Sequence, residues 1–263
     1  MIEPRLTAPA WLVAAYAAWE WTVASCYAEQ TTWRLDRGCA RVRFLKVARA
    51  GAYPGLAAEA ARTRWAGVHG VPVPEVIATG SDGTVDWLVT AGTSGLPGTD
   101  PSLGDVRKVV VALAEGLRRL HDTAPVTECP FDFRLVAAMA HASRRVAAGL
   151  VDPGEDFDED HHHLDPQGAL DQLERLRPDG EDLAVCHGDY CPPNALIADG
   201  RVTAYVDLGE LGVADRWWDL AVATRAVTWN YGPGLESLFL AAYGAPPDPQ
   251  RQAFYRLLYD VAS

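Results

Sequence analysis

Three side chains within one stretch of this 263-residue chain have the types and spacing that phosphoryl transfer needs. In residues 185–209, VCHGDYCPPNALIADGRVTAYVDLG, Asp189 follows His187-Gly188, Asn194 comes five residues later, and Asp207 precedes Leu208-Gly209. Moving a phosphoryl group requires one carboxylate to accept the nucleophile's proton. It also requires an amide oxygen and a second carboxylate to hold Mg²⁺ on the phosphates. An Asn five residues beyond the base sits at the end of the same loop, so both can face one phosphoryl group. Taken singly, each acid reads equally well as a solvated loop residue or a helix cap, and only the combination points to chemistry. Cys186 and Cys191 flank the motif without a motif of their own. With five cysteines and no CxxC pair, buried thiols in a reducing compartment are the simpler reading.

The elements that must position these groups lie on both sides of the stretch. Residues 195–197 and 202–206 form a hairpin around Asp199-Gly200, a favourable turn pair, which would return Asp207 beside Asn194. Upstream, residues 41–47 alternate as a half-buried strand and set Lys46 between apolar flanks, where an unpaired ammonium is costly. A phosphate and Glu59, on an Ala-rich helix expected over 55–65, would remove that cost; an ordinary edge-strand lysine is the alternative. Residues 22–35 read as strand, loop and strand. The loop around 24–28 lacks glycine, and Ser25 is its candidate phosphate contact through hydroxyl and backbone N–H. Strands are expected over 75–79 and 85–90, and 91–98, AGTSGLPG, is the best linker in the chain. Helices follow over 105–121, 133–150, 169–177, 220–229, 235–243 and 249–261, with His121-Asp122 a capping and packing pair and 215–220 an acid-rich helix start. Residues 152–165, DPGEDFDEDHHHLD, read either as a solvated loop or as an acidic flap over a cationic substrate.

Composition narrows the partners. A net charge of −12 argues against nucleic acid and anionic membranes and suits a small cationic molecule. Hydrophobic residues make up 49%, enough for a substantial core, while no run approaches the ~20 apolar residues of a membrane span. The N-terminus begins with an acid and lacks a basic-then-apolar leader, so the chain reads as mature and cytoplasmic. Only two lysines, Lys46 and Lys108, stand against 21 arginines, which singles out each lysine.

Beyond the motif itself, residues 69–74, 87–90, 117–121, 182–189 and 211–215 resemble the aminoglycoside phosphotransferase family, most closely its 3′-phosphotransferase branch, over about residues 19 to 260. The resemblance implies an α+β, two-lobed, protein-kinase-like fold: a β-rich N-lobe with one main helix over 1–93, a hinge near 90–98, and a largely helical C-lobe over 94–263. It implies transfer of phosphate from ATP, or GTP in its place, with Mg²⁺, to a hydroxyl of an aminocyclitol antibiotic, by a monomer or homodimer. Carried over by position, Asp189 is the base, and Asn194 and Asp207 hold the metal. Lys46, partnered by Glu59, contacts the phosphates, and the backbone of Thr90 and Gly92 reads the adenine. Arg225, Asp260 and the acids Glu155, Asp156, Glu159 and Asp160 match regions that shape the antibiotic pocket. Three departures stand out: the glycine-free phosphate loop, Glu210 where the branch usually has Arg, and Tyr259-Asp260-Val261-Ala262 in place of the branch's Asp-Glu-Phe-Phe. They leave room for a kinase of another small cationic or polyol metabolite (choline, a sugar, a peptide antibiotic) or for a nucleotide-binding protein without turnover.

Overall fold

The structure, a computed structural model, describes residues 6–27, 30–38 and 41–263; Ala28 of the expected phosphate loop and Cys39 fall outside them. The chain divides into two compact units, Met1–Ser94 with Ala204–Glu210, and Gly95–Thr203 with Leu211–Ser263.

The N-terminal unit is built on five antiparallel strands: β1 (Glu20–Tyr27), β2 (Gln30–Arg37), β3 (Arg41–Arg49), β4 (Val76–Ser81) and β5 (Val85–Ala91), in the order β1-β2-β3-β5-β4. Helix α1 (Ala10–Ala15) precedes the sheet and α2 (Leu56–Val68) joins β3 to β4. Side chains alternate faces along a strand, and this separates two cores. Trp33, Leu35, Leu45, Val47 and Val89 pack with Leu12 and Trp19 on one face. On the other, Ala48 and Leu88 pack with Leu56 and Ala60 of α2. Lys46, between Leu45 and Val47, therefore belongs to the α2 face, opposite Leu88 in the register. The strand–loop–strand expected over 22–35 differs in one respect: β1 does not loosen over 24–27 but continues through Ser25, which pairs with Thr32 after a register shift between Val23 and Ser25. The bulge absorbs the extra residue, so pairing resumes where a loop was expected.

The second unit is mainly helical. Helix α3 (Val106–Thr123), capped by the Asp105 carboxylate on Arg107 N–H at 2.9 Å, buries Val109, Val110, Leu113, Leu117 and Leu120 along one side. It is followed by α4 (Leu135–Ala147), α5 (Pro166–Leu176), α6 (Trp217–Tyr231), α7 (Glu236–Tyr243) and α8 (Pro249–Ala262). Helix α6 is buried continuously from Trp217 to Val227 and packs on α7 and α8, while α8 also takes α4 and α5. Part of the expected linker is ordered as β6 (Leu96–Pro97), which pairs with β8 (Ala195–Ala198). The expected hairpin forms from β8 and β9 (Arg201–Tyr205), turning through Asp199 and Gly200, both at positive φ. Strand β7 (Leu183–Cys186) leads into the motif and pairs with β10 (Gly212–Asp215). β10 was not expected: its four residues are all buried, so no alternation marks them. None of the described helices is long and apolar enough to cross a membrane.

Candidate active site

In the second unit, the loop after β7 carries Asp189, and buried groups fix it from behind. The fully buried Asp219 carboxylate accepts the backbone N–H of His187 at 2.6 Å on Oδ2 and that of Gly188 at 2.9 Å on Oδ1. Trp218 Nε1 donates to the Gly188 carbonyl at 2.7 Å. His121 Nε2 donates to Asp219 Oδ2 at 3.0 Å, and its Nδ1 hydrogen-bonds the Tyr243 hydroxyl at 2.7 Å. Arg216 donates to the same hydroxyl at 3.1 Å. A carboxylate buried without partners would be costly; here two N–H groups and an imidazole satisfy it, and the loop backbone is held in return. His121 is thus a link in this chain rather than the helix-end packing pair expected with Asp122, which instead bonds Arg118.

Forward of that clamp, Asp189 and Asn194 meet as their spacing implies. Asn194, on the short 3₁₀ turn Pro192–Asn194, donates through Nδ2 to the Asp189 carbonyl at 3.0 Å and to Asp189 Oδ2 at 2.9 Å, leaving its amide oxygen for another partner. The Tyr259 hydroxyl of α8 donates to Asp189 Oδ1 at 3.0 Å. Cys186 is buried, and burial pushes its thiol well above the usual range, which removes it as a nucleophile.

The N-terminal unit assembles the second group. Lys46 Nζ donates to Glu59 Oε1 at 2.7 Å and also to Asp207. Burial by itself would pull the Lys46 ammonium down, but Asp207 and Glu59 together hold it above its ordinary value, so it stays charged. Asp207 is the most accessible of the three, its side chain 44% exposed against 13% for Lys46. Its backbone sits at φ +60°, a left-handed position that Asp tolerates better than most residues. Gly209 follows because a Cβ there would fall 2.7 Å from Pro54 Cγ, so segment 204–210 can lie against Pro54, just ahead of α2, only without one. Tyr205 N–H, donating to the Pro72 carbonyl at 2.9 Å, ties the same segment down.

The remaining expected residues divide. Ser25 is exposed on β1 rather than in a loop. Thr90 sits within β5 opposite Phe44, and Gly92 N–H donates to the Val42 carbonyl at 2.8 Å, which commits the donor expected to face a base. Glu155, Glu159 and Asp160 are exposed, whereas Asp156 accepts from Asp152 N–H at 2.8 Å and lies 3.9 Å from Arg145. Arg225 and Asp260, expected to meet the antibiotic, are buried and joined at 2.6 Å. Asp260 also accepts from His161 Nδ1 at 2.6 Å and Asp158 N–H at 3.1 Å. Its negative charge is spent inside the protein, because a carboxylate at the buried face of α8 must be matched there. Trp218, Asp219, Tyr243 and Tyr259 did not stand out in the sequence. Asp219 belonged to a run read as a helix start, and Tyr259 lies in the segment that departs from the 3′-phosphotransferase branch.

A family model described as "Phosphotransferase enzyme family" matches residues 22–255. An aminoglycoside 3′-phosphotransferase of Streptomyces fradiae is 45% identical over 211 residues, 77% of this chain and 78% of that protein. A streptomycin 3″-kinase of Streptomyces griseus is 34% identical over 83% of this chain and 84% of its own length. The crystal structure of an aminoglycoside 3′-phosphotransferase of type VIII superposes with a TM-score of 0.85 at 40% identity, over 95% of this chain and 96% of that one. An aminoglycoside phosphotransferase from Streptomyces rimosus, solved with ADP and streptomycin, follows at 0.78 and 28% identity, over 96% of each chain. The fold is therefore α+β and protein-kinase-like, and the chain belongs to the phosphotransferase enzyme family, within its aminoglycoside phosphotransferases.

Proposed function

We propose that this protein transfers the terminal phosphoryl group of ATP to a hydroxyl of an aminoglycoside antibiotic, with Asp189 as the base. The observation that carries the reading is the Asp189–Asn194 pair on a loop clamped by Asp219 and Trp218, in a chain 45% identical to an aminoglycoside 3′-phosphotransferase. Asp189 accepts the proton of the attacking hydroxyl as its oxygen bonds to the γ-phosphorus and the bond from that phosphorus to the bridging oxygen breaks, releasing ADP. Lys46, kept charged between Glu59 and Asp207, is the cation for the nucleotide phosphates. The amide oxygen of Asn194 and the accessible carboxylate of Asp207 are hard oxygen donors of the kind Mg²⁺ prefers, so these two residues would hold it. Held there, Mg²⁺ would neutralise charge on the phosphate oxygens. The exposed acids Glu155, Glu159 and Asp160 supply negative charge for a polycationic substrate.

The test is turnover against a panel of aminoglycosides, including one that lacks the 3′-hydroxyl, with ATP and with GTP, followed by NMR of the product. Phosphorylation of 3′-hydroxyl substrates only, abolished in Asp189→Asn, supports the reading and assigns the position. Transfer to the 3′-deoxy compound moves the site to another hydroxyl, as in the streptomycin 3″-kinase relative. No transfer to any member, with turnover on a small amine or sugar alcohol, replaces the substrate class.

A further inference from the structure

The base carboxylate has a second partner that the motif does not contain, and that partner sits where the chain departs from its resemblance. Asn194 holds Asp189 Oδ2 at 2.9 Å, while the Tyr259 hydroxyl donates to Oδ1 at 3.0 Å. We propose that Tyr259 is a positioning residue for phosphoryl transfer, orienting the Asp189 carboxylate, and that the buried Arg225–Asp260 pair serves to hold Tyr259 in place. The proposal rests on Asp189 being the base.

The surroundings of Tyr259 are built around its ring. The Arg225 guanidinium lies 5.2 Å from the Tyr259 ring centroid and 4.8 Å from that of Trp229, so the cation is held between two aromatic faces. Its charge is anchored by Asp260 at 2.6 Å, the next residue along α8, and Asp260 is fixed in turn by His161 and by Asp158 N–H. Trp218, which clamps the Gly188 carbonyl, meets the Tyr259 ring edge-on with centroids 6.5 Å apart. One tryptophan thus contacts both the loop that carries the base and the tyrosine that holds it. A cation over the ring draws electron density from it and makes the phenol O–H a better donor.

The consequence for the reaction is geometric. With Asn194 on one oxygen and Tyr259 on the other, the carboxylate cannot rotate freely, and the lone pairs that remain face a defined direction. A misplaced reacting group costs rate out of proportion to the displacement. The charged and titratable groups about the pair are His187, whose Nδ1 accepts Asp189 N–H at 3.4 Å, Arg225 on α6 and Asp260 on α8.

Tyr259→Phe keeps the ring and its stacking and removes only the hydroxyl. Its kcat toward an aminoglycoside that the wild type phosphorylates should fall about 10- to 100-fold, the loss of one hydrogen bond to a charged group. The KM for ATP should not change. The KM for the antibiotic should change by less than kcat, because the hydroxyl acts on the base and not on the ligand. Tm should stay near wild type. A variant with wild-type kcat overturns the proposal, whatever its Tm. So does an effect confined to the antibiotic KM, which would make Tyr259 a substrate contact. Asp189→Asn run alongside separates the two levels: if it is inactive while Tyr259→Phe is normal, only the role of Tyr259 fails. If Asp189→Asn retains full turnover, the assignment of the base fails and this proposal with it.

Discussion

Asp189 and Lys46 make different demands on their surroundings, and their variants should separate accordingly. Asp189→Asn keeps the size of the side chain and its contacts with Asn194 but cannot take up a proton. A loss of about 10²–10⁴ in kcat with little change in antibiotic KM is expected, measured under saturating ATP. Lys46→Ala acts earlier and also damages the fold. It leaves Glu59 buried beside Asp207 with no cation between them, and stranding a buried charge costs about 3–5 kcal/mol. Thermal unfolding should show a lowered Tm together with a raised ATP KM. Adding Glu59→Gln to that variant should recover much of the Tm without recovering nucleotide use. Recovery of both would reduce Lys46 to a structural residue of the strand.

At the scale of elements, the loop is held by a chain running from α7 through α3 to the start of α6: Tyr243, His121, Asp219 and the His187–Gly188 backbone. Burial pushes the Tyr243 phenol up to about 12, with Arg216 pulling the other way. A raised folded value means that the native state holds the proton more tightly than the unfolded chain, whose tyrosines titrate near 10. The stabilisation is complete below pH 10 and is lost as pH rises toward 12. Chemical denaturation at stepped pH should therefore show a decline over that window that is shallower in Tyr243→Phe. An identical decline in the variant would assign the alkaline loss to other groups.

For the molecule as a whole, a net charge of −12 should make capture of a cationic substrate depend on ionic strength. Glu155, Glu159 and Asp160 are exposed, and each such charge contributes only about 0.2–1 kcal/mol when paired. Three together amount to about 1–3 kcal/mol, or roughly a tenfold to hundredfold change in affinity. Replacing them with Gln, Gln and Asn should raise antibiotic KM at low salt, flatten its salt dependence and leave ATP KM alone. An unchanged antibiotic KM at low salt would make 155–160 a solvated loop. Asp156 is left out of that set because its carboxylate already serves Asp152 N–H and the neighbouring Arg145.

What the sequence determined by itself was whatever depends on short separations. Asp189 and Asn194 are five residues apart, and that spacing places them in one hydrogen-bonded loop. Asp199-Gly200 dictates a hairpin because both residues accept positive φ, and Lys46 and Glu59 pair because strand alternation and the helix that follows leave them facing each other. Tertiary structure decided the rest. Asp219 lies about thirty residues from the backbone it clamps, and nothing in a helix start rich in acids says which acid will be fully buried. Tyr259 reaches Asp189 across 70 residues of chain. Arg225 and Asp260 are 35 residues apart and were both expected to face a ligand. Each is a charge on a packed helix, and burying a lone charge costs more than pairing two. The fold therefore joined them inside the protein, and α8 turned its tyrosine toward the base.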